Sequence, residues 1–128
     1  MSAKELPAGR RTNLVAPLTS FVGRAADLSA IEQLFQGNNR LVTLVGPPGA
    51  GKTRLALEYA RTRLDELSQS GAGGVWFCDI GEARSEGGVC RAVARALDVG
   101  LTSEALAAES VARMAAAIAS RGPMLLIL

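Results

Sequence analysis

The stretch from Leu41 to Leu67 constrains the fold more than any other. Leu41-Val42-Thr43-Leu44-Val45 is a short apolar run rich in β-branched residues, and Gly46-Pro47-Pro48-Gly49-Ala50-Gly51 follows it directly. From Lys52 to Leu67 the residues Leu55, Tyr59 and Leu64 return at helical spacing, with Ala56 and Ala60 on the same face. Strand, glycine-rich turn and helix in direct succession open an α/β unit. A run apolar at almost every position is expected of a strand buried on both faces, which is the habit of parallel sheets.

The flanking sequence repeats that alternation. Leu28, Ile31, Leu34 and Phe35 mark a helix over Arg24 to Gln36 that Gly37-Asn38-Asn39 stops. After the flexible Ser68 to Gly74 loop, Val75 to Ile80 reads as a strand, with Trp76 and Phe77 as core packing. Val89, Val93, Ala96 and Leu97 place a helix that ends near Asp98 to Gly100. An Ala-rich helix over roughly 103–120 carries Leu106, Val111, Met114, Ala115 and Ile118 inward, and Gly122-Pro123 leads into a last strand, Met124 to Leu128. The predicted class is α/β, a three-layer sandwich around a parallel sheet with strands near 41–45, 75–80 and 124–128. Residues 1–20, with Pro7, Gly9 and Pro17 and no apolar periodicity, are expected to form an extended, exposed leader.

Composition removes several function classes. At 128 residues with 48% hydrophobic, the chain has room for one domain and enough apolar mass for one core. A net charge of +2 gives no field that argues for nucleic acid or an anionic membrane. The absence of histidine removes His-based triads and His-ligated metals together. No apolar run approaches the roughly 20 residues of a membrane span, and the first twenty residues lack the apolar stretch of a signal peptide, so a cytoplasmic location is expected. Cys78 and Cys90, with no CxxC spacing, read as small buried hydrophobes.

Gly46-Pro47-Pro48-Gly49-Ala50-Gly51-Lys52-Thr53 matches GxxxxGKS/T in full. The frequencies of these residue types in the chain give roughly 0.003 expected chance matches, which rules against an ordinary glycine turn. Gly46, Gly49 and Gly51 let successive backbone N–H groups converge on an anion with no Cβ between backbone and phosphate. The helix beginning near Lys52 adds its positive end. Lys52 brings a full charge toward the β- and γ-phosphates, and is the residue expected to act in catalysis. The Thr53 hydroxyl is a hard ligand suited to Mg²⁺. Pro47 and Pro48 stiffen the loop. Together these residues form a triphosphate cradle, a P-loop of the Walker A type.

The cradle does not choose the base. Asn13-Leu14-Val15-Ala16-Pro17-Leu18-Thr19-Ser20-Phe21-Val22-Gly23-Arg24 resembles the N-terminal signature of STAND-type ATPases, a P-loop group allied to AAA+ proteins. Gly46 to Ala56, Gly74 to Asp79 and Met124 to Leu128 likewise resemble, in order and spacing, the NB-ARC-like nucleotide-binding domain of bacterial LuxR- and AfsR-type regulators. The resemblance covers nearly the whole chain from Asn13 onward. It implies a switch controlled by ATP or ADP with Mg²⁺, in which the segment around Val22 and Arg24 lies against adenine and the P-loop holds the phosphates. Arg54 fits the family's run after the threonine, and a surface helix arginine explains it equally well. Arg24 has two readings, nucleotide contact or solvated charge. Asp79 also has two, a group facing the site or a strand-terminal turn former.

In proteins of this group an apolar strand like Met124 to Leu128 precedes the Walker B acid. Residues 21–128 are therefore expected to be the N-terminal part of a nucleotide-binding domain that stops just before that acid. The expected partners are downstream regulatory and output domains, reaching DNA through them, with no membrane partner. In the P-loop class the Walker B strand does not pair with the P-loop strand, so Leu41 to Val45 and Met124 to Leu128 should stand apart with open edges. The alternative is a turnover enzyme, either an AAA+ remodelling ATPase or a small-molecule kinase; a third reading is a nucleotide-bound scaffold without turnover. The Phe21-Val22-Gly23-Arg24 segment favours the switch, because a kinase has no need of it.

Overall fold

The computed structural model describes residues 11–17, 19–101 and 107–128. Its elements, in chain order, are α1 (Ala25–Gln36), α2 (Lys52–Thr62), α3 (Leu64–Leu67), β1 (Gly74–Phe77), α4 (Glu86–Leu97), α5 (Ala107–Ser120) and β2 (Met124–Ile127). β1 and β2 pair in parallel, with Val75 opposite Leu125 and Trp76 opposite Leu126. The Cys78 N–H donates to the Ile127 carbonyl at 2.8 Å and the Gly73 N–H to Pro123 at 2.7 Å, prolonging the ladder at both ends.

Alternation along the two strands sorts the core into layers, since successive side chains point to opposite faces. Trp76 and Leu126 pack with Val93, Leu97, Cys78, Cys90 and Met114, beneath α4 and α5. Val75, Phe77, Leu125 and Ile127 pack on the other side with Leu14, Ala60 and Leu64. Helices thus cover both faces of a parallel pair, the α/β arrangement expected from the order of elements. A third cluster, around Ile31, Leu55 and Tyr59, joins α1 to α2.

The helix boundaries have local causes. Ser85 opens α4 by accepting a hydrogen bond from the Gly88 N–H at 3.1 Å, and Asp98 ends it in the left-handed region at φ 54°. The single helix expected over 52–67 breaks at Arg63, whose φ of −96° and ψ of −5° separate α2 from α3. Val111 is 40% exposed and Ala115 is also exposed, so two residues expected to face inward on α5 do not; Leu106 lies outside the described residues. On α1, Ile31 is buried whereas Leu34 remains 47% exposed.

Leu41 to Val45 corrects the sequence reading. The segment is not a strand, and Leu41 and Val45 are 81% and 90% exposed. An apolar β-branched run supplies propensity, but a strand exists only where a ladder partner accepts its N–H and C=O groups. Residues Leu41 to Leu44 and Leu125 to Leu128 line one cleft of about 440 Å³, together with Ile31, Phe35 and Tyr59. Because Leu41 to Val45 is not a strand, the sheet described is β1 and β2 alone.

The other edge of β1 is taken by the leader. The Val75 N–H donates to the Arg11 carbonyl at 2.9 Å, and Thr12 forms a parallel bridge with Val75. The Asn13 side-chain amide then stands in for a strand backbone, donating to the Phe77 carbonyl and accepting from the Phe77 N–H, both at 2.8 Å. Leu14 turns inward and is 5% exposed, so at this residue the leader belongs to the core. Gly74 permits the close approach: its φ is +94°, and a Cβ there would collide with the Arg11 carbonyl.

Candidate functional site

The glycine-rich segment forms the turn into α2. Gly49 and Gly51 have φ of +82° and +80°, the left-handed conformation for which their residue type was expected. The Ala50 N–H donates to Pro47 at 3.1 Å, closing the turn over Pro48, and Gly51 is the N-cap of α2. No side chain caps this helix. The N–H groups of its first turn, including those of Lys52, Thr53 and Arg54, accordingly have no intrahelical acceptor and carry the positive end of the helix dipole. A Cβ on Gly49 would meet nothing within 4 Å, so the loop is open to solvent at its tip.

Lys52 is folded over this loop. Its Nζ donates to the Gly46 carbonyl at 2.7 Å and to the Pro47 carbonyl at 3.1 Å, which holds a full positive charge across the mouth of the turn. Thr53 is exposed in the first turn of α2, and both Lys52 and Thr53 line the cleft that runs on toward Leu125 and Leu128. Open N–H groups, an ammonium and a hydroxyl at one helix start are donors and a hard oxygen ligand suited to a polyphosphate with Mg²⁺.

Arg24 is brought to the same loop. It precedes α1 as the N-cap, its Nε donates to Asp27 at 2.7 Å, and its Nη1 donates to the Ala50 carbonyl at 2.8 Å. It is therefore a tether between α1 and the glycine loop rather than a freely solvated charge. Val22, two residues earlier, is 82% exposed, and Gly23 between them takes φ +83°.

Arg54 faces elsewhere. Its guanidinium donates to the Thr19 hydroxyl at 2.7 Å and the Thr19 carbonyl at 2.6 Å, pairs with Glu58 at 3.3 Å, and lies 5.8 Å from the centre of the Phe21 ring. The sequence match did not reveal this use, because it joins residues 35 apart. Asp79 is a turn former, its carboxylate accepting from the Gly81 N–H at 3.0 Å. Cys78 and Cys90 are free and buried as expected, and burial pushes the Cys78 thiol up from its ordinary pKa.

Behind the loop, α1 and α2 are joined by a polar bridge. The Tyr59 hydroxyl donates to Glu32 at 2.7 Å, Arg63 reaches the same carboxylate at 3.3 Å, and Tyr59 stacks on Phe35 with ring centres 5.7 Å apart. Burial, followed by the Glu32 carboxylate, raises the Tyr59 pKa to about 12; the hydrogen bond from Tyr59 is the main cause that lowers Glu32.

This turn, set between an apolar segment and a helix on a parallel α/β core, defines the P-loop class of nucleotide-binding folds. Residues 36–128 match the AAA domain family, and the chain belongs to it. A segment of 63 residues, 49% of the chain, is 46% identical to uncharacterised proteins from Mycobacterium bovis and from two strains of Mycobacterium tuberculosis. That segment spans only 15% of the length of those relatives. No solved structure gives a significant match. Among the described residues no helix is long and apolar enough to cross a membrane, and no cluster of His, Cys, Asp and Glu is arranged to hold a metal ion.

Proposed function

We propose that the chain is the adenine-nucleotide-binding module of a STAND-type signalling ATPase, in which ATP or ADP sets a conformation that other domains read out as a transcriptional or signalling response. The observation that carries the nucleotide part is the loop itself. Gly49 and Gly51 are left-handed, the first turn of α2 is uncapped, and Lys52 stands over the mouth. In this reading Gly46 to Gly51 cradle the phosphates, Lys52 moves from the Gly46 and Pro47 carbonyls onto the β- and γ-phosphates, and Thr53 holds Mg²⁺. Mg²⁺ would supply charge neutralisation between the phosphates. Lys52 would stabilise charge that develops during phosphoryl transfer, wherever the acid that directs water is provided.

The switch part rests on the resemblance of Asn13 to Arg24 to STAND proteins, and is supported by the Arg24 bond to Ala50. A change at the phosphates that moves the loop would reach α1 through that bond, giving the domain a means of reporting which nucleotide it holds. Output through DNA-binding or regulatory domains, and a cytoplasmic setting, belong to the same proposal. Of the competing readings, a remodelling ATPase or a small-molecule kinase, the kinase has no need of the Val22 to Arg24 segment.

Calorimetry of the full-length protein with ATP, ADP and GTP, with and without Mg²⁺, tests the reading. The expected result is Mg²⁺-dependent binding of ATP and ADP, with GTP a weak competitor. Equal displacement of labelled ATP by GTP would remove the adenine assignment. No binding of either would remove the nucleotide reading.

A further inference from the structure

The outer face of α2 carries three charged residues at helical spacing, Arg54, Glu58 and Arg61, and they form one device. Glu58 lies between the two arginines, at 3.3 Å from Arg54 and 2.7 Å from Arg61, and orients both. Each arginine then reaches across to the leader. Arg61 donates to the Val15 carbonyl at 3.0 Å, and Arg54 donates to both the hydroxyl and the carbonyl of Thr19. Arg54 also stands over the ring of Phe21, which packs against the cluster of Ile31, Leu55 and Tyr59. A planar fork that meets a hydroxyl, a carbonyl and an aromatic face at once is a task to which lysine is poorly suited.

The chain from Thr19 to Arg24 is consequently an arch pinned at both feet. One foot is Thr19 and Phe21 on Arg54, and the other is Arg24 on the Ala50 carbonyl of the loop. Between them Gly23 takes a left-handed φ with open space around it, and Val22 projects into solvent at 82% exposure. An exposed valine on a strap fixed at both ends is a preorganised apolar contact. Without the Arg54 foot, ordering the strap would fall to the ligand, at a cost in affinity.

We propose that the Arg54 side chain is a positioning group for base recognition: the guanidinium touches no part of the nucleotide, and by holding Thr19 and Phe21 it fixes Val22 at the place where the STAND resemblance sets the base. The proposal rests on the nucleotide-binding reading above and assigns Arg54 to the base end of the ligand, away from the phosphates.

The test compares Mg²⁺-ATP with Mg²⁺-tripolyphosphate, which has the phosphates and no base, in the full-length protein by calorimetry. In the unaltered protein ATP should bind more tightly than tripolyphosphate, and that ratio reports the base. Arg54→Gln should weaken ATP about five- to tenfold, as expected when charge-assisted contacts that preorganise a site are lost, and leave tripolyphosphate within about twofold. Arg54→Lys should recover only part of the loss. Thr19→Val, which removes one acceptor and leaves α2 untouched, should produce the same split in smaller measure. It decides the matter should Arg54→Gln fail to fold by circular dichroism. Parallel loss of both ligands, or no loss of either in the folded variants, would overturn the assignment. Equal affinity of the unaltered protein for ATP and tripolyphosphate would overturn it while leaving the phosphate cradle standing. Failure to bind either ligand would instead defeat the nucleotide reading on which it rests.

Discussion

Arg24 and Ala50 are joined by a hydrogen bond of 2.8 Å from the guanidinium to the carbonyl, across 26 residues of sequence. The bond sits beside the turn in which Gly49 and Gly51 are left-handed. The same guanidinium is 3.2 Å from where a Cβ on Gly51 would stand, so the tether closes over the left-handed residue that starts α2. α1 and the glycine loop are therefore tied to one another at this point.

Arg24→Ala removes this tether and the Asp27 pair with it. The expected outcome is a fall in ATP affinity of about three- to tenfold, because a partly exposed charged contact contributes modestly and the loop loses one of its supports. Arg24→Lys should not restore it, since one ammonium cannot follow the guanidinium geometry to Asp27 and Ala50 together. Isothermal calorimetry on both variants measures this, and affinity retained in Arg24→Ala would show that the loop holds its shape without α1.

Lys52→Ala acts on the phosphates directly. Charge-assisted contacts contribute roughly 1.5 to 3 kcal/mol, so ATP affinity should fall about ten- to a hundredfold. Thermal stability should change little, because the ammonium's present acceptors, the Gly46 and Pro47 carbonyls, belong to a half-exposed loop open to water. A melting curve measured beside the binding isotherm separates the two effects.

Much of this was legible in the sequence, and the gaps have physical causes. The apolar runs at Val75 and Met124 became strands because they pair with one another; Leu41 to Val45 is likewise mostly apolar but has no ladder partner among the described residues. Composition reports propensity, whereas pairing is a property of two segments at once. Ile31, Leu55, Tyr59, Val93 and Leu97 were found by their spacing and are indeed buried or nearly so. Leu14 gave no periodic signal, being one apolar residue on a strap, and its burial depends on the Asn13 bonds to Phe77. At the site, Gly49 and Gly51 take the left-handed conformation that their residue type suggested, and Gly46 does not. The use of Arg54 depends on Thr19, and no local pattern couples residues so far apart in sequence.

The bridge between α1 and α2 predicts a pH dependence. The folded protein raises the Tyr59 pKa to about 12 from 10.0, because its neutral phenol is buried and donates to Glu32. A group whose pKa is raised on folding contributes stability that is complete below its unfolded value and is lost as pH rises toward the folded one. Stability should therefore decline between about pH 10 and pH 12, and Tyr59→Phe should remove that component of the decline. Glu32 acts at the other end: its pKa is lowered, so its contribution is present above the ordinary carboxylate value and disappears as pH falls through the folded one. Denaturant melts from acid to alkaline pH, in the unaltered protein and Tyr59→Phe, check both signs. An identical alkaline profile for the two proteins would show that Tyr59 does not couple the helices.

The cleft between Leu41–Leu44 and Leu125–Leu128 leads to a prediction about the 128-residue chain in solution. Beside this cleft Leu41, Val45 and Leu128 are 81%, 90% and 59% exposed, and among the described residues no strand pairs with β2 on the side away from β1. Apolar side chains next to open backbone N–H and C=O groups are the features of an edge that recruits other chains. The 128-residue chain should therefore bind an environment-sensitive hydrophobic dye and self-associate as its concentration rises, by sedimentation velocity. Leu41→Lys together with Val45→Lys places charge along that edge and should reduce both signals several-fold while leaving the β1–β2 pair intact, as read by far-ultraviolet circular dichroism. A monomer at all concentrations without dye binding would mean that the cleft closes on itself, with Leu41 to Val45 collapsing onto β2. Hydrogen exchange would then find the amides of Leu41 to Val45 protected, where the open cleft leaves them exchanging freely.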